Sequence, residues 1–202
     1  MKILVVTAVD AEREAIAAAL PAGVPVVLVV GGVGPAAAAA ATATALDGVD
    51  LVLGAGIAGG FAPLSAGEIA VAATIVFADL GADTPDGFAP VSMLGFGRER
   101  YEVEPKLSIE LADRTGGRLG TILTVATVTG TAERADQLRR RFPDAVAEAM
   151  EGAGVAAAAT ARGVPFGEIR AVSNAVGPRA RDGWQVPRAL AALGAAVARA
   201  VS

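Results

Sequence analysis

Short runs of Ile, Leu and Val alternate along this chain with Ala-rich stretches of helical spacing, a rhythm that restricts the fold to the α/β class. Residues 2–7 (KILVVT) read as a buried strand and 10–20 (DAEREAIAAAL) as a helix with Asp10 as its cap. A second strand follows at 24–30, a turn at 31–35 (GGVGP) and a small-residue helix at 35–46. The third and fourth strands, 51–56 and 68–77, have no helix between them, which points to an antiparallel or mixed edge within the sheet. From 78 to 105, Gly, Pro and Asp dominate without periodicity, the pattern of a long functional loop or a partner-contacting segment. Strands at 118–128, 144–150 and 166–174 then alternate with helices at 131–142, 151–162 and from about Pro187. Nothing resembling a linker or repeat divides them, so residues 1–202 are expected to form a single domain, a mixed β-sheet flanked by helices.

Composition limits the chemistry. The 17 basic and 21 acidic residues give a net charge of −4, with no broad positive field for nucleic acid or an anionic membrane. Cysteine and histidine are both absent, which removes disulfides, thiolate catalysis, the commonest neutral-pH acid/base and the usual transition-metal ligands. Neither a metal nor an organic cofactor is expected; catalysis falls to carboxylates, amides, arginines and backbone groups. The N-terminus turns acidic after one short apolar run, and the apolar stretch 51–78 is broken by Pro63, Gly67 and Glu68, so a cytoplasmic location without a membrane span is expected.

The motif GAGIAG (54–59) satisfies G-x-G-x-x-G directly after a strand, and Asp79 stands about twenty residues on, as a dinucleotide site requires. That site also needs a helix opening at the loop, and Pro63 and Gly67 leave no room for one. The better reading is that Gly56, Gly59 and Gly60 let backbone approach a ligand closely, with a plain tight turn as the alternative. Three polar residues interrupt apolar surroundings at the ends of predicted strands, where open α/β sheets bind ligands: Glu12, Glu151 and Asn174. Singly, each has an ordinary explanation, since glutamates suit helix N-termini and asparagine suits turns. Together with Arg170 they make a site of two carboxylates, an arginine and an amide.

These phrases, VTAVDAERE, GAGIAGGF, FPDAVAEAMEGAGVA and EIRAVSN, occur in the order and spacing of the purine nucleoside phosphorylase and nucleosidase superfamily, which the chain resembles over nearly its whole length. The nearest branch is the methylthioadenosine/S-adenosylhomocysteine nucleosidase type; VTGTAERA, AMEGAGVA and RAVSNAVGPR lie closer to hydrolases that release hypoxanthine. The resemblance implies a nucleoside phosphorylase-like three-layer sandwich. It implies that Glu12 accepts a proton from the attacking water, that Arg170 helps hold that water and the Glu12 carboxylate, and that Glu151 accepts hydrogen bonds from the ribose hydroxyls. It places Met150 against the sugar, Gly59 and Ser173 in the substrate site, and Trp184 where an aromatic closes over the ligand; as the only tryptophan, Trp184 is otherwise a core anchor. It also implies a homo-oligomer in which a neighbouring subunit's loop completes the pocket, consistent with a mean hydropathy of +0.54.

Two departures from the adenosine-cleaving pattern sharpen the expectation. Asn174 stands where an acid would protonate adenine at N7; an amide offers instead a donor and an acceptor, the pattern suited to O6 and N7–H of a departing 6-oxopurine. Ile57 replaces a serine near the water and removes a hydroxyl that phosphate would use. A substrate carboxylate beyond the ribose 5′ position is expected to meet Arg179, Arg181 or Arg134. The same-fold alternatives are a phosphorylase drawing on Arg13, Arg98 and Arg100, or an adenosine-cleaving nucleosidase; a non-catalytic nucleoside-binding module is the alternative of another class.

Overall fold

The computed structural model describes residues 1–179 and 181–202. Its first strand, β1 (Ile3–Thr7), is buried along its whole length, and alternate side chains enter opposite layers. Ile3 and Val5 pack with Ile16 of α1 (Asp10–Ala19) and with Leu193 and Val197 of α6 (Val186–Val201). Leu4 and Val6 pack on the other face with Ala38 of α2 (Pro35–Ala45) and with Val155 and Ala159 of α5 (Gly152–Ala161). A run of four apolar residues thereby fixes both helical layers of a three-layer α/β arrangement.

The sheet between them is mixed and closes on itself. β1 lies between β2 (Val26–Val30) and β3 (Leu51–Gly60), parallel to both. β3 runs parallel to β10 (Phe166–Ala175), which is antiparallel to β4 (Ile69–Phe77). β4 continues in parallel to β8 (Arg118–Thr124), and β8 to β9 (Ala145–Ala149). β9 then returns to the far end of β3, pairing Glu148 with Gly59 and Ala147 with Gly60. The fourth strand is therefore no edge: β10 and β8 flank it, and the short β7 (Arg100–Glu102) takes over where β10 leaves.

Several expected elements are corrected. β3 extends to Gly60 through the segment read as a glycine turn, because β10 and then β9 supply its ladder partners. That continuous strand, followed by β4 without an intervening helix, rules out the dinucleotide loop; Asp79 instead accepts the N–H groups of Ala126 and Thr127. Val9, not Asp10, is the N-cap of α1, and Glu12 at the third helical position accepts the Val9 N–H at 3.3 Å. The stretch 78–105 holds a hairpin of β5 (Gly81–Thr84) and β6 (Gly87–Pro90) as well as β7. α3 (Pro105–Thr115) has no counterpart in the sequence reading; it starts on a proline and is capped by Glu104, whose carboxylate accepts the N–H groups of Lys106 and Leu107. α4 (Ala132–Arg141) begins with Thr131 accepting the Arg134 N–H.

The α2–α5 contact depends on small residues. A Cβ at Gly154 would meet the Pro35 carbonyl, backbone against backbone. Gly154→Ala is expected to destabilise the fold by about 1–3 kcal/mol through overpacking, read as a thermal midpoint several degrees lower in calorimetry.

Candidate active site

The ends of β1, β3, β9 and β10 open into a cavity of about 470 Å³, within the usual range for a small-molecule site. Its wall includes Glu12, Ile57, Gly59, Met150, Glu151, Ser173, Asn174 and Trp184. Sequence reading had placed every one of these except Ile57 and Trp184 at a strand end or in the adjoining turn, and the fold brings them together. A larger hollow of about 640 Å³ at the opposite end offers no comparable chemistry. Its polar residues are engaged elsewhere, Glu104 as a helix cap and Glu110 in an ion pair with Arg114 at 2.7 Å.

Glu12 is 3% exposed and held by three backbone donors. Oε2 accepts from Ala8 N at 2.9 Å and Val9 N at 3.3 Å, and Oε1 accepts from Ile57 N at 2.8 Å. Two carboxylate oxygens offer about four lone-pair directions, so one remains for a ligand in the cavity that Glu12 lines. As expected of a helix-start residue, Glu12 accepts backbone N–H groups there, and those bonds are what orient its carboxylate.

Glu151 caps the start of α5 and ties it to α2 through the Gly34 N–H, accepted by Oε1 at 3.1 Å. Oε2 accepts Met150 N at 3.3 Å and lies 3.1 Å from Arg170 Nη1. Arg170 is 1% exposed and stands behind the cavity wall, its Nε donating to Glu168 Oε1 at 2.7 Å. It also sits beside Glu12: a Cβ at Gly56 would come within 2.6 Å of Arg170 Nη1 and 2.7 Å of Glu12 Oε1. Gly56, Gly59 and Gly60 therefore make room for protein side chains, Val176 at Gly59 and Val172 at Gly60, and of the three only Gly59 also lines the cavity. Arg170 is thus a positioning residue for both carboxylates.

Glu168 escaped the sequence reading; in EIR it looks like an ordinary outward strand residue. It is fully buried, with Oε2 unpartnered against Gly152. Burial pushes its carboxyl pKa up, with Arg170 opposing. Burial also works against the Arg170 charge, but Glu168, Glu151 and Glu12 outweigh it and hold the guanidinium pKa above its ordinary value. Glu148, also not anticipated, is 6% exposed in the cavity wall; burial raises its pKa against hydrogen bonds from Thr129.

The Asn174 amide has a fixed orientation. Its Nδ2 donates to the Ala175 carbonyl at 2.9 Å, and its Oδ1 accepts the Ser173 hydroxyl at 2.7 Å. The reverse orientation would set two oxygens against each other at Ala175, so one N–H and one oxygen lone pair are left over. Trp184 is half-buried in the cavity wall, not a core anchor, with the Arg179 guanidinium 5.1 Å from its ring centre. Of the arginines considered for a substrate carboxylate, Arg179 lines the cavity, Arg134 does not, and the Arg181 side chain lies outside the described residues. Arg13, Arg98 and Arg100 lie off the cavity wall; Arg13 pairs with Asp10 and Glu14, and Arg100 with Glu102.

The pattern of the phosphorylase superfamily matches residues 5–202. The chain belongs to the phosphorylase superfamily. Within that superfamily it is 52% identical to the futalosine hydrolase of Streptomyces coelicolor, over 98% of this chain and 94% of the relative. It is 48% identical to the futalosine hydrolase of Acidothermus cellulolyticus, over 97% of this chain and 91% of the relative. Among solved structures, the methylthioadenosine/S-adenosylhomocysteine nucleosidase of Colwellia psychrerythraea in complex with adenine superposes with a TM-score of 0.86 at 25% identity, covering 100% of this chain and 94% of that one. The superfamily fold accounts for the closed mixed sheet and its two helical layers.

The ion network gives a stability test. Arg170→Met strands three carboxylates in the interior and is expected to cost about 3–5 kcal/mol in urea unfolding. Glu168→Gln leaves Arg170 with two carboxylates and is expected to cost well under half of that in the same measurement.

Proposed function

We propose that this protein hydrolyses the N-glycosidic bond of futalosine, releasing hypoxanthine and dehypoxanthine futalosine. The observation that carries the reading is the Asn174 amide, held by Ser173 and Ala175 so that one N–H and one carbonyl lone pair remain for a base edge. A departing 6-oxopurine matches that pair, its O6 accepting and its N7–H donating. The two relatives that share about half of this chain's residues carry the same activity in their names.

In this reading a water in the cavity is polarised by the open lone pair of Glu12, gives it a proton and attacks C1′. The C1′–N9 bond breaks, its electrons pass to the purine, and O6 of the departing anion is met by the Asn174 N–H; the proton that water gave to Glu12 is then returned through solvent to N7, so that neutral hypoxanthine leaves with its N7–H facing the Asn174 oxygen. Positive charge gathers on the ribose beside two carboxylates, Glu12 and Glu151, while a ribose hydroxyl donates to the one lone pair that Glu151 has open. Met150 packs on the sugar and Trp184 covers the ligand. We assign Arg179 to the substrate carboxylate. No metal or organic cofactor enters this reaction.

The adenosine-cleaving alternative lacks an acid at position 174: an amide cannot protonate N7 of adenine, and the exocyclic amine of adenine would face the amide N–H. Among the described residues, the phosphorylase alternative has no arginine on the cavity wall besides Arg179, and Ile57 removes a hydroxyl from the place where an anion would sit. We further infer a cytoplasmic homo-oligomer serving menaquinone biosynthesis. Val9, Val33 and Val128 rim the cavity with apolar surface, Val33 at 58% exposure, which fits a neighbouring subunit closing over it.

Chromatography of released base, run in phosphate-free buffer on futalosine, inosine and methylthioadenosine side by side, tests the reading. Hypoxanthine from futalosine without phosphate is expected; a phosphate requirement with a sugar phosphate as product, or fast adenine release from methylthioadenosine, overturns it. Glu12→Gln is expected to lower kcat by roughly 10²–10⁴-fold with little change in KM. An unchanged kcat removes Glu12 from the mechanism.

A further inference from the structure

Glu168 is fully buried, and the reaction outlined above gives it no part. Its strand fixes what it faces. Residues two apart on β10 share one side of the sheet, and the register sets Glu168 beside Gly54 and Arg170 beside Gly56 of β3. Positions 54 and 56 carry no side chain, so the carboxylate and the guanidinium lie along a bare strip of that strand. Arg170 Nε donates to Glu168 Oε1 at 2.7 Å, a shorter contact than the 3.1 Å from its Nη1 to Glu151. From the helical layer, α5 begins with Gly152, where a Cβ would strike both Glu168 oxygens. The first residue of that helix thus leaves the carboxyl the place from which it reaches Nε.

Neutralising Arg170 does not require Glu168. Glu151 pairs with the guanidinium and Glu12 stands beside it, which already sets two carboxylates against one cation. A third buried carboxylate adds desolvation cost, and Oε2, unpartnered among the described residues, gains no hydrogen bond in compensation. What Oε1 supplies is an acceptor at Nε. The guanidinium is planar and its donors form a rigid fork, so a bond at Nε sets the direction of both Nη groups. The two cavity carboxylates depend on that direction unequally. Glu12 is held by the backbone N–H groups of Ala8, Val9 and Ile57. Glu151 has only two such donors, Gly34 at 3.1 Å and Met150 at 3.3 Å, and takes its third contact from Arg170.

We propose that Glu168 is a positioning residue for Glu151: as the acceptor of Arg170 Nε–H it turns the guanidinium toward Glu151, whose remaining lone pair then meets a ribose hydroxyl. This deepens the function proposed above and rests on it. The part is played by an acceptor oxygen and not by a negative charge, so glutamine can replace the glutamate, whereas a side chain of similar length without an oxygen cannot.

The test measures kcat/KM for futalosine and for its 2′-deoxy and 3′-deoxy analogues in the wild-type, Glu168→Met and Glu168→Gln proteins. Glu168→Met is expected to slow futalosine by about 10-fold or more, the range expected when a hydroxyl loses its bond to a charged group. One of the two analogues, the one without the hydroxyl that Glu151 accepts, is expected to be slowed by no more than a few-fold. Glu168→Gln is expected to restore futalosine turnover to within a few-fold of the wild type. A Glu168→Met protein that slows all three substrates equally, or none, overturns the proposal, as does a Glu168→Gln protein as slow as the Met variant. If Glu168→Met does not fold, Gly152→Ala takes its place in each comparison, since its Cβ would displace the same carboxyl. If the wild type releases no base from futalosine, the function reading fails; crystal structures of the variants then decide the Glu168 assignment, a guanidinium turned from Glu151 in Glu168→Met but kept in place in Glu168→Gln supporting it, and one unmoved in both overturning it.

Discussion

One buried guanidinium organises this molecule. Arg170 pairs with Glu151 at the start of α5 and with its own strand neighbour Glu168, and Glu12 on α1 stands close enough for its charge to act on the guanidinium. Isolated in the interior, each of these charges would cost several kcal/mol in lost hydration. Gathered on one cation they hold the N-termini of two helices against the same sheet, α1 from one layer and α5 from the other. Three negative groups on one positive group leave an excess of negative charge, and the structure disposes of it unequally. Glu12 and Glu151 take backbone N–H donors and line the cavity, while Glu168, with one oxygen unpartnered, is the carboxyl that burial pushes toward the neutral form. The groups that face a ligand are the well-solvated ones, and the poorly solvated one is out of its reach.

The glycines of β3 permit this arrangement. Four side chains cross or approach one strand at close quarters: Glu12 and Arg170 at Gly56, Val176 at Gly59, and Val172 at Gly60. A strand interior rich in glycine is weak by itself. Here it is clamped by β1 and β10 along its first half and by β9 and β10 at its end. The backbone is held by neighbours on both sides, so the missing side chains become usable space, occupied by the ion network at Gly56, by Val176 at Gly59 and by Val172 at Gly60.

This also explains what could and could not be read from the sequence. The strand–helix rhythm and the polar stops Glu12, Glu151 and Asn174 were legible because each stands out against an apolar run. The same glycines that look like a turn, GAGIAGG, concealed the second half of β3, since a strand carried by its partners leaves little local pattern. α3 was invisible for a similar reason: its start depends on Pro105 and on a glutamate acting as cap, neither a strong helix signal alone. Glu148 and Glu168 were missed because both sit at ordinary positions of amphipathic-looking strands, AVAEA and EIRAV. Their importance comes from closure of the sheet, which turns both of what would be surface faces inward. Contacts set by register across strands distant in sequence leave no spacing to find.

In the proposed reaction, Ile57 would favour water over phosphate on physical grounds. Its backbone N–H is the donor that fixes Glu12 Oε1, a role any residue except proline can fill, so the side chain at this position is free to set the character of the cavity beside the carboxylate. An isoleucine there offers no hydrogen bond to an oxyanion and displaces solvent. A multiply charged phosphate entering beside Glu12 would meet a carboxylate and a hydrocarbon, losing hydration without a compensating donor. A water molecule is neutral and needs few partners, and in the proposed reaction the open lone pair of Glu12 would supply the acceptor it requires. Around it the low polarity strengthens the attraction between the carboxylate and developing positive charge on the sugar. An isoleucine that offers the proposed water no partner of its own would thereby strengthen its interaction with Glu12.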